Sequence, residues 1–250
     1  GLFARRKAER DALAAVLPIL PHPVQAGTAS IESPHLLVTI DRATGRWSLV
    51  DKASGVRWPT SGDASPGSAS PLDGPFDAAD TATPGRVRLS RGDAAVELRV
   101  VRDGRSVEVR YEVDPAREVL ALEDLVAVAD REDGHAIVPC REGLLVSART
   151  GKAFRRTFGT SEYEGAHMNA LAFLKSGSGL LVTWDGAYVF PTLVGSGGPE
   201  GSRTVTASFA LRRTARSLAV TPVGAGDWNR VAAAYRTIAE EKGHAATLRE

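Results

Sequence analysis

The sequence has few of the residues that form disulfides and metal sites, and it has no long apolar run. It contains one cysteine, Cys140, in 250 residues, which excludes an intramolecular disulfide and a cysteine-based metal site. Its five histidines are scattered with no pair at metal-ligand spacing, so we expect no zinc site and no cofactor. No apolar run approaches the roughly 20 residues that cross a bilayer.

An excess of charge of one sign is also missing. The 31 basic and 30 acidic residues leave a formal net charge of +1, and this balance predicts neither a nucleic acid nor a membrane surface as partner. The glycine-rich stretch 195–201 lacks the Lys-Ser/Thr of a phosphate-binding loop. The hydrophobic fraction of 43% is that of a soluble globular protein. The compartment stays open, with an extracellular or periplasmic location favoured over the cytoplasm.

Period-two alternation dominates the middle of the chain. Apolar and polar residues alternate over 96–100, 107–113 and 205–211, which is typical of strands with one core face and one solvated face. Asp103-Gly104 lies between the first two segments and predicts a hairpin turn. No strand–helix–strand alternation occurs, so we predict an all-β fold, a large antiparallel two-sheet sandwich. Further strands are predicted at 35–41, 46–51, 86–91, 118–129, 135–139, 143–149, 170–175, 179–184, 188–193 and 217–222.

Composition divides the chain into three parts. Residues 1–30 are predicted to hold an N-terminal helix, over 2–17, and a linker, a reading we prefer to a signal peptide. Residues 31–226 are predicted to form the β-sandwich domain. Within it, 59–84 is rich in Pro, Gly, Ser, Ala and Asp. We expect a flexible surface loop there rather than a linker between domains.

The last part, 227–250, is predicted to contain a second helix. Asp227 is a good N-cap, and the helix is expected to run to about Lys242, before Gly243. Its apolar residues fall on one face at helical spacing and predict packing against the sandwich; they are Trp228, Val231, Tyr235 and Ile238. The position of this helix after the last strand suggests a connection into a following domain.

Two turn-containing segments near the N-terminus resemble a known family. Residues 35–58 read as a strand ending at Asp41, a Thr44-Gly45 turn, a strand ending in Asp51, a second glycine turn, and Trp58. This order resembles the opening of the galactose-mutarotase-like β-sandwich, or supersandwich, which precedes the (β/α)-barrel in several glycoside hydrolase groups. Similarities of the same kind follow in 137–145, 168–182 and 228–243, so the resemblance covers most of the chain from residue 31.

The resemblance implies an N-terminal accessory domain that supports and helps shape a carbohydrate active site. Its partners would be a C-terminal catalytic barrel of the same polypeptide and an oligosaccharide. The catalytic carboxylates of such enzymes usually lie on the barrel, so no catalytic residue is carried over to this chain. Two alternatives stay open. One is a stand-alone sugar-binding or mutarotase-like domain that uses a concave sheet face, and the other is a structural β-domain without a ligand.

Residues able to contact a sugar are concentrated in three segments. Carboxylates and a histidine are the groups that glycoside or mutarotase chemistry needs, and a tryptophan with a neighbouring acceptor can hold a sugar face. The candidate carbohydrate contacts are Arg141, Glu142, Glu162, Glu164, His167, Trp184 and Asp185. Other interpretations remain for them: a polar loop over 162–167, core burial for Trp184, and a hairpin turn at Asp185-Gly186.

Overall fold

The computed structural model describes residues 27–58, 68–69, 76–114, 116, 118–140, 143–150, 153–159, 168–197 and 203–243. The predicted N-terminal helix over 2–17 lies outside them. The first strands are β1 Thr28–Glu32, β2 Leu36–Asp41, β3 Trp47–Asp51, β4 Arg57–Trp58, β5 Ser68–Ala69, β6 Ala78–Asp80, β7 Arg86–Arg91, β8 Ala94–Val101 and β9 Ser106–Glu112. The others are β10 Val119–Ala129, β11 His135–Val138, β12 Leu144–Ser147, β13 Phe154–Thr157, β14 Ala170–Lys175, β15 Ser178–Thr183, β16 Val189–Ser196, β17 Thr204–Arg212 and β18 Ser217–Ala225, followed by helix α1, Trp228–Glu241.

The strands form two large antiparallel sheets and a smaller third one. The nine-stranded sheet has the order β12-β11-β14-β15-β18-β9-β8-β7-β6, and the five-stranded sheet has the order β13-β16-β17-β10-β5. The small sheet, β1-β2-β3-β4, is a meander. Buried residues of all three sheets belong to one hydrophobic core. The predicted all-β sandwich is therefore confirmed.

The alternation seen in the sequence becomes the two faces of the strands. Leu98, Val109 and Leu211, one from each alternating segment, are at most 1% exposed. The predicted turn between the first two segments is also confirmed. Asp103 and Gly104 have φ of 53° and 83°, and the Arg105 amide donates to the Arg102 carbonyl at 3.1 Å, which is the pattern of a type I′ turn.

Strand β15 is buried along its whole length. Leu180 and Val182 face the main core, whereas Leu181 packs in a second cluster with Val231 and Ile238 of α1. The helix therefore covers the outer face of the nine-stranded sheet. This explains why the sequence of β15 is an apolar run instead of an alternation.

Helix α1 begins as predicted but exposes one residue expected to be buried. The Asp227 carboxylate accepts a hydrogen bond from the Asn229 amide at 2.9 Å, which is an N-cap. Val231 and Ile238 are buried, but Trp228 is 58% exposed. The prediction that Trp228 packs inward is wrong, because it is the first helical residue and lies where the chain has only just left β18. Helical spacing cannot detect this end effect.

The interruption at 59–84 contains more structure than a surface loop. Residues 59–67 and 70–75 lie outside the described part, but Ser68–Ala69 pairs with β10 and Ala78–Asp80 pairs with β7. Phe76 is 1% exposed and belongs to the main core. These short segments are therefore strands of the two large sheets, and a flexible loop stays a prediction for the rest of 59–84.

The two glycine turns on which the resemblance rests have the same geometry. In each, an aspartate side chain accepts a backbone amide bond two residues on, at 2.9 Å for Asp41 and 3.1 Å for Asp51. Each turn closes with a glycine amide donating to that aspartate's carbonyl at 2.8 Å. Gly45 and Gly55 have φ of 70° and 73°, a conformation that a side chain disfavours. Their surroundings differ: a Cβ on Gly45 would lie 2.7 Å from the Phe76 ring, whereas one on Gly55 would meet nothing within 4 Å.

Candidate functional site

The three segments that hold the predicted sugar contacts leave the nine-stranded sheet at the same end. Ile137 near the end of β11 pairs with Ala172, and Ala170 at the start of β14 pairs with Thr183 at the end of β15. Three chain segments are therefore neighbours at this end of the sheet. They are β11, which leads to residues 141–142, β14, which follows residues 162–167, and Trp184, which follows β15. Because antiparallel partners keep a fixed register, the described strand ends next to these segments lie at one end of the sheet.

Five of the seven candidates lie outside the described residues: Arg141, Glu142, Glu162, Glu164 and His167. Their role in contacting a sugar stays a prediction. The described residues that flank them lie together at one end of the nine-stranded sheet. Met168 and Asn169, which follow directly, are described, and Asn169 accepts a 3.2 Å hydrogen bond from the Trp184 amide.

Trp184 lies in the core instead of on the surface. It is 3% exposed, and its ring packs edge-on against Phe209 with the centroids 5.9 Å apart. Since β17, which carries Phe209, belongs to the five-stranded sheet, Trp184 fills the space between the two large sheets. In this arrangement the indole offers no open face to a sugar.

Asp185 is exposed, and it forms an ion pair. Its carboxylate lies 2.6 Å from the Lys242 ammonium at the end of α1, an exposed pair of the kind that contributes little stability. The structure corrects the interpretation of Asp185-Gly186 as a hairpin turn. Residues 184–188 cross from β15 of the nine-stranded sheet to β16 of the five-stranded sheet, and Gly186, with φ of 75°, allows the bend.

An open cleft of about 910 Å³ lies at the same end of the sandwich. Ala219 of β18 pairs with Thr183 and Ser217 pairs with Arg110 of β9, which places the cleft next to the Trp184–Asp185 crossover. The chain also crosses between the two large sheets from β9 to β10 and from β17 to β18. The described residues of these 113–118 and 213–216 crossovers that line the cleft include Val113, Glu118 and Thr214. The cleft is lined by Arg110, Tyr111, Glu112, Val113, Glu118, Val119, Tyr188, Phe190, Arg212, Arg213, Thr214 and Arg216.

Two arginines of this cleft are stacked on aromatic rings. The Arg213 guanidinium lies 4.6 Å from the centroid of Tyr188 and donates to its hydroxyl at 2.7 Å. The Arg212 guanidinium lies 4.5 Å from the centroid of Phe190. The sequence shows Arg212-Arg213 as a pair of basic residues, and both are exposed in the structure. It cannot indicate the aromatic partners, because Tyr188 and Phe190 are more than 20 positions away and on another strand.

One of the two acidic residues of the cleft, Glu112, already forms an ion pair with another residue. Glu112 accepts two hydrogen bonds of 2.6 Å from Arg88, and this bidentate pair lowers the pKa of Glu112 below its ordinary value. Burial raises the pKa of Tyr111. Within the described residues, no group of three or more His, Cys, Asp or Glu side chains could hold a metal ion.

A lysine is buried on the core face of the nine-stranded sheet. Lys175 shares this face with Leu171 and Phe173 because all three are two positions apart on β14. Its ammonium lies 4.5 Å above the Trp58 ring of the small sheet and 3.8 Å from Glu132. Burial lowers the pKa of Lys175 to about 8, and Glu132 opposes this shift.

The fold defines the protein as an all-β sandwich, and comparison with solved structures shows a similar fold in a known enzyme. The fold is similar to that of an α-N-acetylgalactosaminidase from Bifidobacterium bifidum. The TM-score is 0.62 against a quadruple mutant and 0.55 against a complex with Gal-NHAc-DNJ. In both comparisons the identity is 13%, and the match covers 86% of this chain but only 39% of the enzyme chain.

The sequence comparisons give no match, neither to a protein-family model nor to a curated protein. Among the described helices, none is long and apolar enough to span a membrane.

Proposed function

We propose that this chain is an accessory β-sandwich of a glycoside hydrolase, which supports and helps shape a carbohydrate site on a catalytic barrel of the same polypeptide. The observation that carries the proposal is the match of most of this chain to a 39% portion of an α-N-acetylgalactosaminidase. A likeness at 13% identity is a likeness of fold, so the activity itself has to be measured.

The exposed start of α1 gives the barrel a place to dock. Trp228 is 58% exposed, and Ala232, one turn further along the helix, is exposed as well. A large aromatic side chain left open on a surface is a frequent anchor of interfaces. In the proposed arrangement the catalytic domain packs against this exposed start of α1, while Val231 and Ile238 further along the helix hold the sandwich.

The test uses the polypeptide as its gene encodes it. We expect it to hydrolyse at least one of a panel of 4-nitrophenyl glycosides that includes the α-N-acetylgalactosaminide. We expect Trp228→Ser to speed thermal inactivation of that activity severalfold, because the interface loses its anchor. Leu145→Ser is the matched control: Leu145 is 56% exposed, but it lies on edge strand β12, and its variant should inactivate at the normal rate.

Two outcomes would contradict these expectations. Lack of hydrolysis across the panel by the natural polypeptide, at protein concentrations where such enzymes turn over in minutes, overturns the proposed function. Equal inactivation rates for Trp228→Ser and Leu145→Ser overturn the docking role of α1, and in that case the barrel contacts the sandwich elsewhere.

A second candidate function is a mutarotase-like activity of the chain itself. The convergence of the segments before Arg141, after His167 and at Asp185 on one sheet end favours it, since that chemistry needs a carboxylate base and a histidine acid at one sugar. If this function is correct, the 250-residue chain speeds the anomeric exchange of galactose measured by NMR, and His167→Asn slows this exchange at least tenfold. An exchange rate equal to that of buffer dismisses it.

A further inference from the structure

We propose that the cleft between the 113–118 and 213–216 crossovers binds the carboxylate or sulfate group of an acidic saccharide through Arg110, Arg212 and Arg213. The saccharide part of this inference rests on the proposed function, whereas the anionic part rests on the cleft alone. The cleft volume of about 910 Å³ lies within the usual range for small-molecule sites.

Positive charge exceeds negative charge in the cleft. Four arginines line it against two glutamates, Glu112 and Glu118. Glu112 is already neutralised by the bidentate pair with Arg88, which is not a lining residue. The charge of Arg110 also acts on Glu112 and helps to lower its pKa, whereas the Arg212 and Arg213 guanidinium groups lie over aromatic rings. The cleft therefore offers an anion more guanidinium groups than its own carboxylates occupy.

The guanidinium groups are held in place before any ligand arrives. The Arg212 guanidinium lies over the Phe190 ring, and the Arg213 guanidinium lies over the Tyr188 ring and donates a hydrogen bond to its hydroxyl. A guanidinium group has five N–H donors, so the contact with a ring and the single bond to Tyr188 leave donors for an oxyanion. Since a long side chain loses rotamer freedom on binding, this prior ordering lowers the entropic cost of the complex.

The backbone at Arg213 is held in an unusual conformation. Its φ of 52° lies in the left-handed region, which few residues other than glycine, asparagine and aspartate adopt. The Arg213 amide donates to the Glu118 carbonyl at 3.1 Å, so the two crossovers are tied together at this residue. The turn at Arg213, closed by the Ala215 amide donating to the Arg212 carbonyl at 3.0 Å, therefore has a fixed position beside the cleft.

The same geometry argues for one charged group on a sugar instead of a nucleic acid or a neutral glycan. The faces of Tyr188 and Phe190 turned to the guanidinium groups are occupied, so those faces are closed to a base or a sugar ring. The net charge of the whole chain is only +1, which gives no extended basic surface for a polyanion. A single carboxylate or sulfate matches the bidentate geometry of arginine.

The experiment is an NMR titration of the 250-residue chain with glucuronate, glucose 6-sulfate, glucose and inorganic sulfate. We expect both acidic sugars to shift the arginine side-chain resonances of Arg212 and Arg213, and glucose to leave them unchanged. An Arg212→Gln/Arg213→Gln variant should bind the acidic sugars at least tenfold more weakly. Raising the salt from 50 to 300 mM should also weaken binding.

The control is Arg149→Gln, which removes an exposed arginine paired with Asp130 at the other end of β11 and should leave the affinity unchanged. Both cleft arginines are exposed, and a melting temperature close to that of the parent chain verifies that the double variant is folded.

Two results would overturn the inference. Absence of shifts at Arg212 and Arg213 with both acidic sugars excludes an anion site. Inorganic sulfate binding as tightly as glucose 6-sulfate excludes a saccharide as the intended ligand. Hydrolysis of the aryl glycosides is measured separately, so failure of the cleft and failure of the proposed function are distinguishable.

Discussion

Gly45→Ala is expected to lower the free energy of unfolding by about 3 kcal/mol, whereas Gly55→Ala lowers it by about 1 kcal/mol. Both glycines have φ near 70°, so the backbone strain that an alanine introduces is the same in both variants. Only at Gly45 does the new methyl group meet a buried ring, 2.7 Å from Phe76. The two turns therefore form an internal comparison in which the extra loss at Gly45 measures the contact with Phe76.

Urea unfolding monitored by tryptophan fluorescence gives both values. The mechanism is checked in a Phe76→Leu background, where the smaller side chain leaves room and Gly45→Ala should cost about as much as Gly55→Ala does in the parent. Equal losses for the two glycine variants in the parent chain would show that Phe76 moves aside freely. That result would contradict the tight packing of the segment that begins at Phe76.

The stability of the protein should rise as the pH increases from about 8 to 10.5, and Lys175→Met should remove this rise. Burial lowers the pKa of Lys175 from 10.5 to about 8. Between these values the unfolded chain binds the proton that the folded chain has released, so deprotonation favours the folded state. Below pH 8 both states are charged and the destabilisation is fully present. It is lost as the pH rises from 8 through 10.5, and both states are neutral only above that range.

The quantity to measure is the difference in unfolding free energy between Lys175→Met and the parent. We expect Lys175→Met to be the more stable at pH 7, and this advantage to shrink by on the order of 2–3 kcal/mol by pH 10.5. Other lysines and tyrosines titrate in both proteins and cancel in the difference. Glu132→Gln should move the rise in stability to lower pH, because Glu132 holds the pKa of Lys175 up. A difference that stays constant from pH 7 to pH 10.5 would contradict a buried charge.

Local sequence chemistry predicts the turns and the faces of the strands well. The Asp41–Gly45 and Asp51–Gly55 turns, the Asp103-Gly104 turn and the Asp227 cap all depend on residues within five positions of one another. Such features need no knowledge of the rest of the chain. The strand faces follow equally directly, because a period of two decides which side chains share a side.

Features that depend on distant partners could not be predicted. Lys175 is followed by Ser176-Gly177, so it looks like a residue at an exposed hairpin. It is buried because Trp58 of the small sheet, which is far away in the sequence, packs against its ammonium group. The stacking of Arg213 on Tyr188 and the crossover at Asp185-Gly186 depend in the same way on which sheet the next strand joins. For the candidate sugar contacts, the pairing registers of the flanking strands bring the described ends of their segments to one end of the sheet. Five of the seven residues themselves are outside the described part, so their role stays a prediction.

The pairing of β18 with β9 and of β17 with β10 has a consequence for synthesis on the ribosome. Arg110 pairs with Ser217 and Leu120 pairs with Leu211, so each large sheet joins segments roughly a hundred residues apart, a long loop to close. Until β17 and β18 have emerged, β9 and one edge of β10 lack these partners and are exposed to pairing with other chains. The last fifth of the chain therefore controls when the nascent sandwich can close.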